Sequence, residues 1–240
     1  MVLSIPIFSQ GRYPIAVTPV IEESEGPSLP ASCIADYGME GVVTDAMGNY
    51  DGTLIGDATY DTDSFFCGAN SIILDGTNDA LDCGAVNVTT TFSIELAFNL
   101  SELGYQTVLC SNRNGNDLEN GFTLYAELNE SLKFKTGDGA SGFDYISTAT
   151  GLFNWDEWNH VVITVERNNE IFFYLNGVDV TPTPNDLDNT IFAVSGQEFD
   201  IGSHNNNTYE GNGYFDNVRI YNSVLSSEVS IGLYTNKCLY

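Results

Sequence analysis

The segment His204-Asn-Asn-Asn-Thr-Tyr209-Glu-Gly-Asn-Gly213 gathers an imidazole, side-chain amides, a hydroxyl and an aromatic ring in one polar loop. These are groups that recognise sugars. Amides and hydroxyls exchange hydrogen bonds in both directions, and a tyrosine offers an apolar face with a polar tip. His204, Asn205, Asn206 and Tyr209 are therefore candidate ligand-binding residues. Trp155 joins them because it stands just ahead of a strand, where its ring is expected to be exposed. Ser111-Asn-Arg-Asn-Gly-Asn-Asp117 has similar chemistry. An ordinary Asn- and Gly-rich connection has the same composition, so neither loop carries a sugar-specific signature.

Catalytic groups are harder to find. Retaining hydrolysis of a glycan needs two carboxylates about 5 Å apart on one cleft. No E-x-D-x-x-E run is present, and the strand at residues 92–100 carries only Glu95. No G-x-S-x-G nucleophile elbow occurs. Asp57, Asp61, Asp63, Asp75, Asp79 and Asp82 read as turn formers on a solvated face. The five cysteines contain no C-x-x-C pair, so neither a zinc nor a redox site is expected. Spacing does not decide between buried thiols and a Cys67–Cys83 or Cys33–Cys238 bridge.

The 240 residues carry 33 acidic and 7 basic side chains, a net charge of −26. Such a surface repels phosphate, which argues against nucleic acid and anionic membranes as partners. Disorder is not expected with 42% hydrophobic residues. No run of about 18 apolar residues occurs, so no membrane helix is expected. The first residues lack a basic n-region, and Pro6 interrupts their apolar stretch, so no signal peptide is expected.

The elements that must position these groups are short strands. Five of the seven prolines fall within the first 30 residues. Residues 1–32 therefore read as an extended arm, and residues 33–240 as one domain. Ten aliphatic and aromatic side chains in the arm suit an anchor on a partner subunit better than a solvated tail. Phe92, Ile94, Leu96, Phe98 and Leu100 alternate with Ser93, Glu95, Ala97 and Asn99, which predicts a strand with one buried face. Phe122, Leu124 and Ala126 repeat the pattern, and Leu132 and Phe134 alternate with Lys133 and Lys135. Val161, Ile163 and Val165 form a hairpin with Ile171, Phe173 and Leu175. One helix follows near the end, capped by Ser226, with Leu225, Val229 and Leu233 on one face. Many strands and little helix predict a β-sandwich or jelly roll.

Three segments in order resemble the laminin G-like group of concanavalin A-like jelly rolls. Asp45-Ala-Met-Gly-Asn-Tyr-Asp-Gly-Thr-Leu54 looks like the family's opening turn. Trp155-Asp-Glu-Trp-Asn-His-Val-Val-Ile-Thr-Val165, followed by Phe173-Tyr-Leu-Asn-Gly177, is similar to its W-x-H-V strand and Y-x-N-G turn. Gly213-Tyr-Phe-Asp-Asn-Val-Arg-Ile-Tyr221, followed by Val224-Leu-Ser226, looks like its closing signature. The resemblance implies an all-β jelly-roll sandwich with His160 in a structural position. It also implies that the opening turn meets the closing aspartate, which makes Asp45, Asn49, Asp51 and Asp216 candidate ligands of a structural calcium ion. Asp216 alternatively accepts backbone amides without any metal.

The expected function is a non-enzymatic structural or adhesive surface protein. A virion component fits (capsid decoration, fibre or attachment protein), anchored to other subunits by the arm and located on the virion surface or outside the cell. The alternatives are a free glycan-binding lectin-type module and, more remotely, a glycoside hydrolase.

Overall fold

A computed structural model describes residues 28–88, 91–113, 121–137, 143–166, 170–187, 197–204 and 209–238. Residues 1–27, which make up most of the expected arm, lie outside the described residues. In chain order the elements are β1 (Cys33–Tyr37), β2 (Thr53–Ile55), β3 (Thr59–Asp61), β4 (Ser71–Asp75), β5 (Ala80–Asp82), β6 (Thr91–Leu100), β7 (Thr107–Ser111), β8 (Gly121–Ala126), β9 (Leu132–Gly137), β10 (Phe143–Ser147), β11 (Asn159–Glu166), β12 (Ile171–Leu175), β13 (Val178–Asp179), β14 (Asp200–Ile201), β15 (Asn212–Tyr221) and α1 (Ser227–Thr235). They form two antiparallel sheets. The first runs β13-β12-β11-β6-β15-β4-β3, with β1 also paired to β15. The second runs β10-β9-β8-β7-β14-β5-β2. Among the described residues no helix is long and apolar enough to cross a membrane.

Period-two patterning builds the core between the sheets. Phe92, Ile94, Leu96 and Phe98 enter it from β6, Phe122 and Leu124 from β8, and Leu132 and Phe134 from β9. Phe122 stacks on Phe92 at 4.9 Å and on Phe134 at 5.3 Å, so the rings bridge the gap. Each such side chain contributes about 2 kcal/mol by leaving water. The hairpin expected from the alternation is present, with Val161 opposite Leu175 and Val165 opposite Ile171. The Asn176-Gly177 turn follows it, both residues at positive φ (50° and 74°).

The other face of β6 departs from expectation. Ser93, Glu95 and Ala97 are as buried as their apolar neighbours. The cause is α1, which lies over the outer face of the first sheet. Its N-cap Ser226 accepts the Val229 N–H. Leu225 and Leu233 pack with Cys33, Val162, Tyr174 and Tyr221 in a second apolar cluster, which Leu29 also joins. The chain's contacts with the domain thus begin ahead of Cys33. Val229, expected on the buried face, is 37% exposed. Cys67 and Cys238 form a disulfide that fastens the chain after α1 to the loop ahead of β4. Neither bridge considered from the sequence forms, and Cys33, Cys83 and Cys110 are buried thiols.

Beneath this cover sits a row of charges. Asp36 of β1 lies opposite Arg219 of β15, and Arg219 lies opposite Glu95 of β6. The Arg219 Nε donates to Asp36 at 2.9 Å, and its Nη1 donates to Glu95 at 3.2 Å. The Tyr221 hydroxyl donates to the other Glu95 oxygen at 2.7 Å, and His160 Nε2 stands 3.0 Å from the first. His160 also stacks on Phe66 at 5.5 Å. It is buried and structural, as the resemblance implies.

Candidate functional site

The second sheet carries the sugar-type groups on its outer face. In β8 the core takes Phe122, Leu124 and Ala126, so Thr123 and Tyr125 point outward. The register then fixes two cross-strand rows on that face. One is Val108, Tyr125, Lys133 and Ser147. The other is Asp82, Asp200, Ser111, Thr123, Lys135 and Tyr145. The Ser111 and Thr123 hydroxyls are 3.0 Å apart, which binds the second row together.

Tyr209 comes onto this face beside β7. Its carbonyl accepts the Val108 N–H at 2.8 Å. The ends of its loop are held by the Gly211 N–H, which donates to the Gly202 carbonyl at 2.7 Å. Gly202 has no room for a side chain, because a Cβ there would run into the buried Leu74 side chain. The Tyr209 ring lies 6.4 Å from buried Tyr125 in an edge-on arrangement, 6.1 Å from Tyr105 and 6.3 Å from His204. Tyr209 is 42% exposed and Tyr105 36% exposed, while His204 is buried at 5%. The expected pair His204 and Tyr209 is therefore brought together, and Tyr105 and Tyr125 complete a group that sequence spacing could not assemble. Asn205 and Asn206 lie outside the described residues. Glu210, next to Tyr209, is turned away to accept the Asn78 N–H at 2.6 Å.

Trp155 does not join this group. It packs against the main core and meets the Phe153 ring at 5.2 Å. Trp158 occupies a half-buried position on the first sheet, near Phe66 and Tyr214.

The four candidate calcium ligands do not make a cage. Asp45 accepts four backbone N–H groups, from Asp36 and Met47 on one oxygen and from Asn49 and Tyr50 on the other, at 2.8–3.0 Å. Asp51 accepts the Asp45 N–H, and the Asn49 amide donates to the Ile34 carbonyl. These residues organise their own turn. Asp216 accepts the Phe66 and Cys67 N–H groups at 2.8 and 2.9 Å and the Asn217 N–H at 2.7 Å. Burial nevertheless pushes its carboxyl up to about 6. Among the described residues no three His, Cys, Asp or Glu side chains group so as to hold a metal ion. Calcium asks for six to eight oxygens, and this quartet does not fit it.

Asp82 and Asp200 face each other across β5 and β14. Burial, with Asp82 and Glu198 nearby, pushes the Asp200 carboxyl up to about 7. An unfolded aspartate titrates near 4, so this raised group favours folding at low pH and loses that contribution as pH rises through about 7. Asp200→Asn is expected to stabilise the protein by about 2 kcal/mol at pH 8, with no gain at pH 4. Melting curves at the two pH values check this, and equal shifts at both would contradict it.

Residues 75–229 match the laminin G-like family of the concanavalin A-like lectin/glucanases superfamily. The chain belongs to this superfamily. No curated protein sequence matches it. Among solved structures, this lectin/glucanase-type domain is similar to domain 4 of AbnA, a GH43 extracellular arabinanase from Geobacillus stearothermophilus, in complex with arabinotriose. The TM-score is 0.68 at 17% identity, covering 85% of this chain and 98% of that one. It is also similar to the receptor binding domain of botulinum neurotoxin type G (TM-score 0.64, 15% identity, covering 86% of this chain and 52% of that one). The binding domain of Paraclostridial Mosquitocidal Protein 1 is similar as well (TM-score 0.67, 15% identity, covering 86% of this chain and 52% of that one). The chain spans about half the length of these two toxin domains. At such identities the likeness shows the shared fold alone.

Proposed function

We propose that this lectin/glucanase-superfamily domain is a non-catalytic binding module whose ligand is a saccharide, taken on the outer face of the second sheet. The observation that carries the reading is the pair of exposed rings, Tyr209 and Tyr105, 6.1 Å apart beside His204. A sugar presents a C–H face to such rings and hydroxyls to the polar groups around them. The AbnA domain, similar over nearly its whole length, is known with arabinotriose.

Hydrolysis is the second reading, favoured by one observation, the opposed carboxylates of Asp82 and Asp200. Binding is preferred because Asp82 already accepts the Gly84 N–H at 2.6 Å and Asp200 is 8% exposed, so neither projects into an open cleft. Incubation with a polysaccharide panel separates the two. Saturable retention without new reducing ends is expected. Release of reducing ends that stops in Asp200→Asn would transfer the assignment to hydrolysis.

Residues 1–32 are assigned the role of an anchor on a larger assembly at a virion surface or outside the cell, with the jelly roll displayed. The Cys67–Cys238 disulfide suits an oxidising compartment. The Cys33 N–H donates to the Pro30 carbonyl at 2.9 Å, which closes a turn at the root of the arm, and Leu29 packs on the cluster beneath α1. Deleting residues 1–27 is expected to leave the melting temperature and saccharide binding unchanged and to abolish incorporation into the assembly. Undiminished incorporation would remove the anchor from the account.

A further inference from the structure

On a chain with 33 acidic and 7 basic side chains, two lysines stand on one face of one strand. Lys133 and Lys135 alternate along β9 on the outer side of the second sheet, with Leu132 and Phe134 in the core between them. Lys133 lies directly opposite Tyr125, the ring on which Tyr209 rests. Its ammonium stands 5.5 Å from the centre of the Tyr145 ring, and that of Lys135 stands 4.2 Å from the centre of the Phe143 ring. Those rings are 54% and 48% exposed, and no other large aromatic side chain among the described residues is exposed as much. A strip of rings and cations therefore continues the Tyr209 cluster to the edge of the sheet.

We propose that this strip makes the face selective for an acidic saccharide, one whose rings carry carboxylates. The proposal rests on the reading of the face as a saccharide site and names the class of saccharide it takes. A chain this acidic repels an anionic ligand over most of its surface, so recognition needs cations at the point of contact. Lys135, and Lys133 beside its partner Glu127, place two ammonium groups where the rings are. Protection of a sheet edge against pairing does not account for them. That role falls to charges on the edge strand itself, and the edge here is β10, Phe143-Asp144-Tyr145-Ile146-Ser147, which holds no cation. Two half-exposed rings on an edge are a liability unless something lies on them. An ammonium has three donors. Lys133 is ion-paired with the Glu127 carboxylate and donates to the Gln106 side-chain oxygen at 3.4 Å. That fixes the position of the ammonium over Tyr145 and leaves it a donor to direct at a ligand carboxylate. The rings meanwhile take the C–H faces of the sugar.

The test is calorimetric titration of the full chain with matched pairs of saccharides: tetragalacturonate against galactotetraose, a glucuronate tetrasaccharide against cellotetraose, and sialyllactose against lactose. At least one acidic member is expected to bind about tenfold or more tightly than its neutral partner, with the preference shrinking as salt rises. Lys133→Gln and Lys135→Gln are each expected to cut that ratio severalfold, and Lys133→Arg to keep it. Unchanged melting temperatures would show that the variants at these half-buried positions remain folded. A ratio near one, or a preference indifferent to both substitutions, overturns the inference and leaves the saccharide reading standing. Absence of binding to every member of the panel overturns both.

Discussion

Arg219→Met is expected to lower the unfolding free energy at pH 7 by about 3–5 kcal/mol, or roughly 10 °C in melting temperature. Arg219 joins Asp36 and Glu95 across three neighbouring strands, and Glu95 is fully buried. Burial alone would raise the Glu95 carboxyl. Contacts with His160, Arg219 and Tyr221 outweigh burial and hold it below its usual range. A carboxylate depressed in this way contributes stability above the unfolded pKa and loses it as pH falls below about 4. Removing the guanidinium leaves that charge buried with only His160 and Tyr221 to support it, so the penalty should be greatest at neutral pH. It should shrink toward pH 4, where Glu95 can take a proton. Replacing the partners together, as in Glu95→Leu with Arg219→Met, should cost less than the sum of the single changes. Urea unfolding at the two pH values reads all of this. A loss below about 1 kcal/mol that does not vary with pH would contradict the network's role.

Tyr209→Asn is expected to weaken saccharide binding by about 30-fold or more, while the domain stays folded. The magnitude is that of a central aromatic anchor, about 2 kcal/mol or above. Asparagine is the suitable replacement because Tyr209 holds φ at 64°, a conformation it tolerates better than most residues. The Tyr209 carbonyl contact to Val108 is main-chain and survives the change. Tyr209→Phe keeps the stacking face and should stay within a fewfold of the parent. Calorimetry with a bound saccharide decides the point, and equal affinities for parent and Tyr209→Asn would remove the ring from the site.

The sandwich was legible because its strands alternate strictly. Phe92 to Leu100 and Leu132 to Lys135 state which side is apolar, and Asn176-Gly177 states a turn. What alternation does not encode is which outer face another element will cover. Glu95 therefore reads as a solvated residue until α1 is seen over it, and Lys133 reads as no more than a polar alternate until Tyr125 and Tyr145 are seen beside it. The His204–Tyr209 pair was visible as chemistry, but Tyr125 reaches it only through the register of β7 and β8, and Tyr105 only through the path of the loop ahead of β7. Asp45 and Asp216 carry the right atoms for a cation. Backbone N–H groups, which leave no trace in residue types, take them instead. The Cys67–Cys238 bridge joins residues 171 apart and depends on where the chain after α1 comes to rest.

The central claim is the location of the site, and chemical-shift mapping by NMR tests it most directly. Titrating the labelled domain with its tightest-binding saccharide is expected to move the signals of Tyr105, Tyr125, His204 and Tyr209. Shifts confined to Phe66, Trp158 and Tyr214 on the first sheet, or to Leu29, Val229 and Gly232 beside α1, would contradict it.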